Sequence, residues 1–163
     1  MNRRTAIALT AYIATIVAAN WMTATFGLVP IGFGLAVTAG TFAAGAALIA
    51  RDGVQVTAGK YAVLAAILVG IVLSYFLSDP FIAIASAVAF AASELTDFAV
   101  FTPMRRRTLA GAVLVSSVVS APIDTVLFLH IAGFGVTWEA VLGQFIVKTA
   151  MAGLVAAWLW WRK

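Results

Sequence analysis

The sequence predicts an all-α integral membrane protein with six transmembrane helices in one bundle. Of its 163 residues, 64% are apolar and only 10% are charged, whereas a soluble domain carries about 25% charged residues. Six apolar windows approach the roughly 20 residues that cross a bilayer as a helix, and strands of a membrane barrel would be about 10 residues long and alternating. We therefore interpret residues 1–163 as a single six-helix transmembrane domain.

The six windows follow one another with short breaks. They are Thr5–Met22, Phe33–Ala50, Tyr61–Leu77, Phe81–Phe101, Thr108–Ile131 and Ala140–Trp161. Each break carries turn residues or charges, and these stretches are Gly27 to Gly34, Arg51-Asp52-Gly53, Ser78-Asp79-Pro80, Pro103 to Arg107 and Gly133-Phe134-Gly135. The first window resembles a signal peptide, but no clear A-x-A site follows it, so we expect it to be retained.

The positive charges predict the orientation. Nine of the ten lysines and arginines fall at the termini or in the second and fourth breaks, which six spans would place on one side: Arg3, Arg4, Arg51, Lys60, Arg105, Arg106, Arg107, Arg162 and Lys163. The positive-inside rule then places both termini in the cytoplasm. The expected location is the plasma (inner) membrane of a bacterium.

Several functional classes are disfavoured by what the sequence lacks. There is no cysteine, which excludes disulfides, thiol catalysis and cysteine metal sites, and His130 is the single histidine. No Walker A motif is present, and no break is long enough to fold as a soluble domain. The net charge of +4 resides in the breaks, so it does not indicate nucleic-acid binding. We expect no catalytic residue, metal or cofactor, and a function located within the helices.

The fourth window contains the most informative residues. Glu94 and Asp97 lie three apart, so a helix presents them on one face, with Phe90 and Phe101 on the same stripe. Acids at membrane depth are costly, and they often mark a substrate or ion path. Two aromatic rings beside two acceptors suit a flat solute that donates hydrogen bonds. The alternative is that an acid pairs with Lys148 only to hold helices together.

The remaining candidates lie on the first, fifth and sixth windows. Asp124 follows Pro122, which leaves the carbonyl of Val118 without its helical donor, and Ser120 precedes Asp124 by one turn. The others are Gln144 and Lys148, which share a face, and Asn20. Their depths suit a cavity that opens outward. One lysine against three acids leaves a deficit of two positive charges, although Asp124 and Lys148 could form a purely structural pair, and a helix-end hydrogen bond would explain Asn20.

These residues resemble a known family. Ser93-Glu94-Leu95-x-Asp97, followed by Phe101 and three arginines, is similar to the fourth-helix signature of the vitamin uptake transporter family, in particular its queuosine precursor branch. Ser116-Ser117, Ile123-Asp124-Thr125 and Phe128 resemble the fifth-helix motif, and Gln144 and Lys148 fit the sixth helix. The similarity covers about Ser86 to Ala150. Before that stretch the match is mainly in topology.

The resemblance implies uptake of a 7-deazaguanine, such as 7-cyano-7-deazaguanine, its aminomethyl analogue or queuine. It also implies an arrangement similar to the substrate-binding subunits of energy-coupling-factor transporters. The leading interpretation is an importer of a small molecule that works alone or as a homo-oligomer. The alternatives are a binding subunit that needs an ATPase module, and a membrane protein that transports nothing, such as an assembly factor or a lysis-type pore.

Overall fold

The computed structural model describes residues 3–104 and 106–161, apart from the side chains at 48, 49, 52, 53, 55, 56, 98, 158 and 159. Arg105, Arg162 and Lys163, which entered the orientation argument, lie outside the described residues. Six helices and two short strands follow in the order α1 Arg3–Phe26, β1 Leu28–Gly32, β2 Leu35–Thr38, α2 Thr41–Ala58, α3 Lys60–Leu77, α4 Pro80–Met104, α5 Leu109–Ile131 and α6 Trp138–Trp161.

The stretch between the first and second helices differs from the sequence prediction. Residues expected to begin the second span form an antiparallel hairpin, in which Leu28 pairs with Thr38 and Val29 with Val37. Its turn contains Phe33 with a φ of +54°, flanked by two glycines that also have positive φ. The second helix therefore begins at Thr41 rather than at position 33, and the all-α prediction is wrong for this segment.

The shift changes the position of Arg51. The sequence predicts a cytoplasmic break at Arg51, but this residue lies inside α2, ten residues after Thr41 and seven before Ala58. Because it is not in a connection between helices, Arg51 no longer supports the positive-inside argument. A lone Gly59 separates α2 from α3.

Five helices in the described part of the chain are long and apolar enough to cross a membrane, namely α1, α3, α4, α5 and most of α6. Their number and composition make the chain a multi-pass membrane protein. The six expected spans are not all recovered, because α2, which carries Arg51 and Asp52 within its 18 residues, is not among these helices.

The helices pack on one another in the order α1, α2, α6, α5, α4, α3 and back to α1, with further contacts between α2 and α3 and between α1 and α4. Short connections reverse the chain between successive helices, so the helices run alternately up and down. We call the end that carries the hairpin, where α2, α4 and α6 begin, the hairpin end. The other end, where α2, α4 and α6 finish, is called the opposite end.

Two glycines hold the hairpin end together. A Cβ at Gly40 would lie 2.0 Å from the carbonyl oxygen of Ala19, and a Cβ at Gly143 would lie 2.3 Å from the carbonyl oxygen of Ala36. No side chain fits at either distance, so only glycine lets α1 approach the start of α2 and α6 approach β2. The amide of Gly40 also donates to the hydroxyl of Thr23 at 3.1 Å.

Candidate functional site

Lys148 and Asp124 form an ion pair between α6 and α5, as the sequence predicted. The Nζ atom of Lys148 lies 2.5 Å from Oδ2 of Asp124 and donates to Oγ1 of Thr125 at 3.0 Å. The side chains of Lys148 and Asp124 are 9% and 23% exposed, and Thr125 is fully buried. Counted at about 1.5 Å per residue, the pair lies roughly 10–15 Å from the hairpin end.

A second ionic cluster joins α2 to α4. The Nη1 atom of Arg51 donates to Oε1 of Glu94, and Nη2 lies 3.7 Å from Oδ2 of Asp97. The side chains of Arg51 and Asp97 are each 12% exposed, and that of Glu94 is 29% exposed. Arg51 and Asp97 are each seven residues from the opposite end of their helix, a depth of about 10 Å, so their registers match.

The charge balance differs from the sequence expectation. Lys148 was thought to face three acids alone, but Arg51 supplies a second interior cation. Lys148 is therefore not the interior cation for all three acids. The alternative in which Glu94 or Asp97 pairs with Lys148 is not what the structure has, because both carboxylates contact Arg51.

Two of the expected binding residues present unsatisfied amide groups. Asn20 on α1 is 3% exposed and Gln144 on α6 is 1% exposed, and neither amide nitrogen has a hydrogen-bond partner within the described residues. A buried donor left without an acceptor costs about 1–3 kcal/mol. Gln144 lies one turn from Lys148 toward the hairpin end, so this part of the interior can donate hydrogen bonds to an acceptor on a solute.

The other expected residues are only partly buried on their helices. Phe90 and Phe101 on α4 are both half-buried, as is Ser120 on α5. The most buried row of α4 consists of small residues and one acid, Ala85, Ala89, Ser93 and Asp97. This row allows the close approach of α5, while Glu94 reaches from its edge toward α2.

Sequence reasoning missed Arg51 and Thr125 as parts of these clusters. Arg-Asp-Gly is typical of a loop, and an apolar hairpin cannot be distinguished from a membrane span by composition. A signal was nevertheless present, because Gly32-Phe33-Gly34 between two short apolar runs indicates a hairpin turn. Placing the hairpin there moves the start of the second helix to Thr41 and Arg51 to its middle. Thr125 was noted only as part of a motif.

The structure also contains an apolar groove of about 530 Å³ away from both clusters. It lies between α1 and α3 and is lined by Thr10, Ile13, Ala14, Val17, Ala18, Trp21 and Leu73. It has no charged lining residue, so it lacks the groups that would fix a polar solute. The ionic clusters are therefore the better candidate site.

One comparison with known proteins gives a match. A family model described as "Putative vitamin uptake transporter" matches residues 74–161, which is more than half of the chain. The match includes all of α4, α5 and α6, and hence Glu94, Asp97, Asp124 and Lys148, whereas Arg51 precedes it. No curated protein and no solved structure matches the chain. By the extent of the family match, the chain belongs to the vitamin uptake transporter family.

Proposed function

We propose that this protein imports a 7-deazaguanine precursor of queuosine across the bacterial plasma membrane. In this proposal α2 also crosses the membrane, which brings the number of spans to six, and both termini are cytoplasmic. The family supports transport of a small molecule. The observation that carries the choice of solute is the pairing of Glu94 and Asp97 with the guanidinium of Arg51.

A guanidinium is planar and presents parallel N–H donors that match carboxylates. A 7-deazaguanine offers the same pattern, because its ring N–H and exocyclic amine lie side by side and a carboxylate can accept both. An aminomethyl substituent would add a cation for the second acid. The Glu94–Asp97 pair thus already contacts a planar group of N–H donors, which supports the donor pattern that we assign to the solute.

The remaining expected residues suit the rest of the ring system. The unsatisfied amide nitrogens of Asn20 and Gln144 lie nearer the hairpin end than Glu94, where they can donate to an acceptor on a solute held there. Phe90 or Phe101 can stack on its face. Asp124, Lys148 and Ser120 complete the proposed polar lining on α5 and α6.

Binding of 7-deazaguanines to the purified protein tests this proposal, together with restoration of tRNA queuosine in cells that cannot make the precursor. Glu94→Gln replaces an acceptor oxygen by a donor, so one charge-assisted hydrogen bond is lost. That loss is worth about 1.5–3 kcal/mol, or roughly ten- to a hundred-fold in affinity. Glu139→Gln, in the first turn of α6, is the matched control. Wild-type affinity in Glu94→Gln would remove Glu94 from the site.

Uptake by proteoliposomes that contain only this chain distinguishes the two transport mechanisms. Uptake without any added protein supports a transporter that works alone or as a homo-oligomer. Binding without uptake supports a substrate-binding subunit of the energy-coupling-factor type, which would require an ATPase partner.

A further inference from the structure

We propose that the apolar groove between α1 and α3 is a binding site for an anionic phospholipid. One acyl chain lies in the groove, and the phosphate lies beside the cations where the two helices begin, at the opposite end. The groove is separate from the two ionic clusters, so this inference does not depend on the identity of the transported solute.

The groove belongs to the membrane-spanning part of the protein. Both α1 and α3 are long and apolar enough to cross a membrane. Along α1 the lining runs from Thr10 to Trp21, a length of about 16 Å. Ala14 and Ala18, between these two residues, have small side chains, and no lining residue is charged. A narrow space with these walls suits a flexible hydrocarbon chain.

Exposed cations lie a short distance beyond one end of the groove. Gly70 on α3 lies against Ile16 on α1, where a Cβ atom would come within 2.9 Å of the isoleucine side chain. The two helices run in the same direction. Thr10 precedes this contact by six residues and Lys60 precedes it by ten, so Lys60 lies about 6 Å beyond the groove. Arg3, the first residue of α1, lies about 10 Å beyond it, and both cationic side chains are exposed.

This spacing matches the structure of a phospholipid. Only the glycerol and ester groups separate its phosphate from its acyl chains. A chain that enters the groove at Thr10 therefore leaves the phosphate near the level of Lys60 and Arg3, whose long side chains can extend to the headgroup.

The distribution of charge decides what fills the groove. The breaks at the hairpin end contain no lysine or arginine, and Asp79 and Glu139 are exposed there, so an anionic headgroup is favoured at the opposite end. A second copy of the chain in the same membrane orientation would bring the same cations together at the same depth, which is unfavourable. A phosphate beside Arg3 and Lys60 is attracted by both. Charge complementarity therefore favours an anionic lipid over a second copy of the protein.

Native mass spectrometry of the purified chain in detergent measures the binding of single lipids. The titrations use dioleoyl phosphatidylglycerol, which is anionic, and dioleoyl phosphatidylcholine, which has the same chains and no net charge. The wild type should bind the first phosphatidylglycerol molecule at least about fivefold more tightly, which is the contribution of one cation near a membrane surface. Equal affinity for the two lipids would overturn the proposal.

Two substitutions test the position of the headgroup. Arg3→Gln together with Lys60→Gln should remove the preference for phosphatidylglycerol and leave the affinity for phosphatidylcholine unchanged. Arg107→Gln, which removes an exposed arginine before α5, a helix that packs on α4 and α6, is the matched control and should keep the preference. A preference that persists without Arg3 and Lys60 would place the headgroup elsewhere. Competition by equimolar glycerol phosphate, which has no chain, would reduce the site to one for phosphate alone; either result refutes the proposal.

A larger side chain in the groove tests the position of the acyl chain. Ala14→Leu should weaken binding of phosphatidylglycerol at least about threefold, because packing contacts hold a chain that moves between two apolar phases. Ala91→Leu makes the same change at an exposed position on α4 and should have no effect. Thr10→Leu is a second groove variant should Ala14→Leu fail to fold. Unchanged affinity in a folded groove variant would contradict the proposal, as would a protein dimer that these variants abolish, since a second copy would then fill the groove.

Discussion

Replacing Lys148 by methionine should destabilise the protein by about 3 kcal/mol. The substitution keeps most of the volume but leaves Asp124 without the cation 2.5 Å away, and Thr125 without a donor. Removing one partner of a buried pair typically costs about 3–5 kcal/mol. Because the side chain of Asp124 is 23% exposed, we expect a value at the lower end of that range.

A double-mutant cycle tests whether this loss comes from the pair itself. Asp124→Asn alone should cost a similar amount, since it leaves Lys148 buried beside a neutral amide. The double variant should be less destabilised than the sum of the singles by about 1–3 kcal/mol, because neither charge is then left unpaired. Equilibrium unfolding in mixed micelles of a mild detergent and sodium dodecyl sulfate gives the free energies of unfolding.

Lys60→Met provides the matched control. Lys60 is exposed and lies 5.2 Å from the ring centroid of Tyr61, so its loss should change the free energy of unfolding by no more than about 1 kcal/mol. A double variant as unstable as the sum of the two singles would refute direct coupling between Lys148 and Asp124.

Three further predictions test other parts of the structure. Gly143→Ala should cost about 1–3 kcal/mol of unfolding free energy, because its Cβ would meet the Ala36 carbonyl oxygen at 2.3 Å, whereas Gly153→Ala, which faces open space, should cost nothing. The Arg51→Ala variant should regain thermal stability in millimolar guanidinium, whose planar group can contact Glu94 and Asp97 together, but not in equimolar ammonium, which cannot. Equal effects of the two salts would exclude a site that holds a guanidinium between the two carboxylates. A reporter fused to the C-terminus should be active in the cytoplasm, and activity only outside the membrane would reverse the orientation.

Most of the helical architecture could be predicted because lipid requires long, uniformly apolar helices. The windows at Tyr61–Leu77 and Thr108–Ile131 match α3 and α5 to within a residue at each end. The second window failed because the hairpin is as apolar as a span, so composition could not separate them. The turn residues around Phe33 distinguish the hairpin from a membrane span.

The candidate site could be predicted in part for a related reason. Asp124 and Lys148 were matched because a lone lysine at membrane depth requires an acid at similar depth. The contact of Arg51 with Glu94 and Asp97 could not be predicted while Arg51 was assigned to a break between helices. The pairing of Glu94 and Asp97 thus depended on the start of a helix that the sequence alone did not locate.

The tight glycine contacts at the hairpin end make the start of α2 a pivot about which the rest of the helix can tilt. Gly40 fixes the start of α2 against Ala19, and Gly143 fixes α6 against the adjacent strand, so a tilt of α2 pivots near Thr41. Over 18 residues, or about 27 Å, a tilt of only about 5° displaces Ala58 by roughly 2 Å and Arg51, ten residues along, by a little over 1 Å. A rotation too small to disturb the packing at the pivot therefore moves the backbone of Arg51 by about 1 Å, a change that the rotatable bonds of its side chain have to absorb for the contact with Glu94 on α4 to persist.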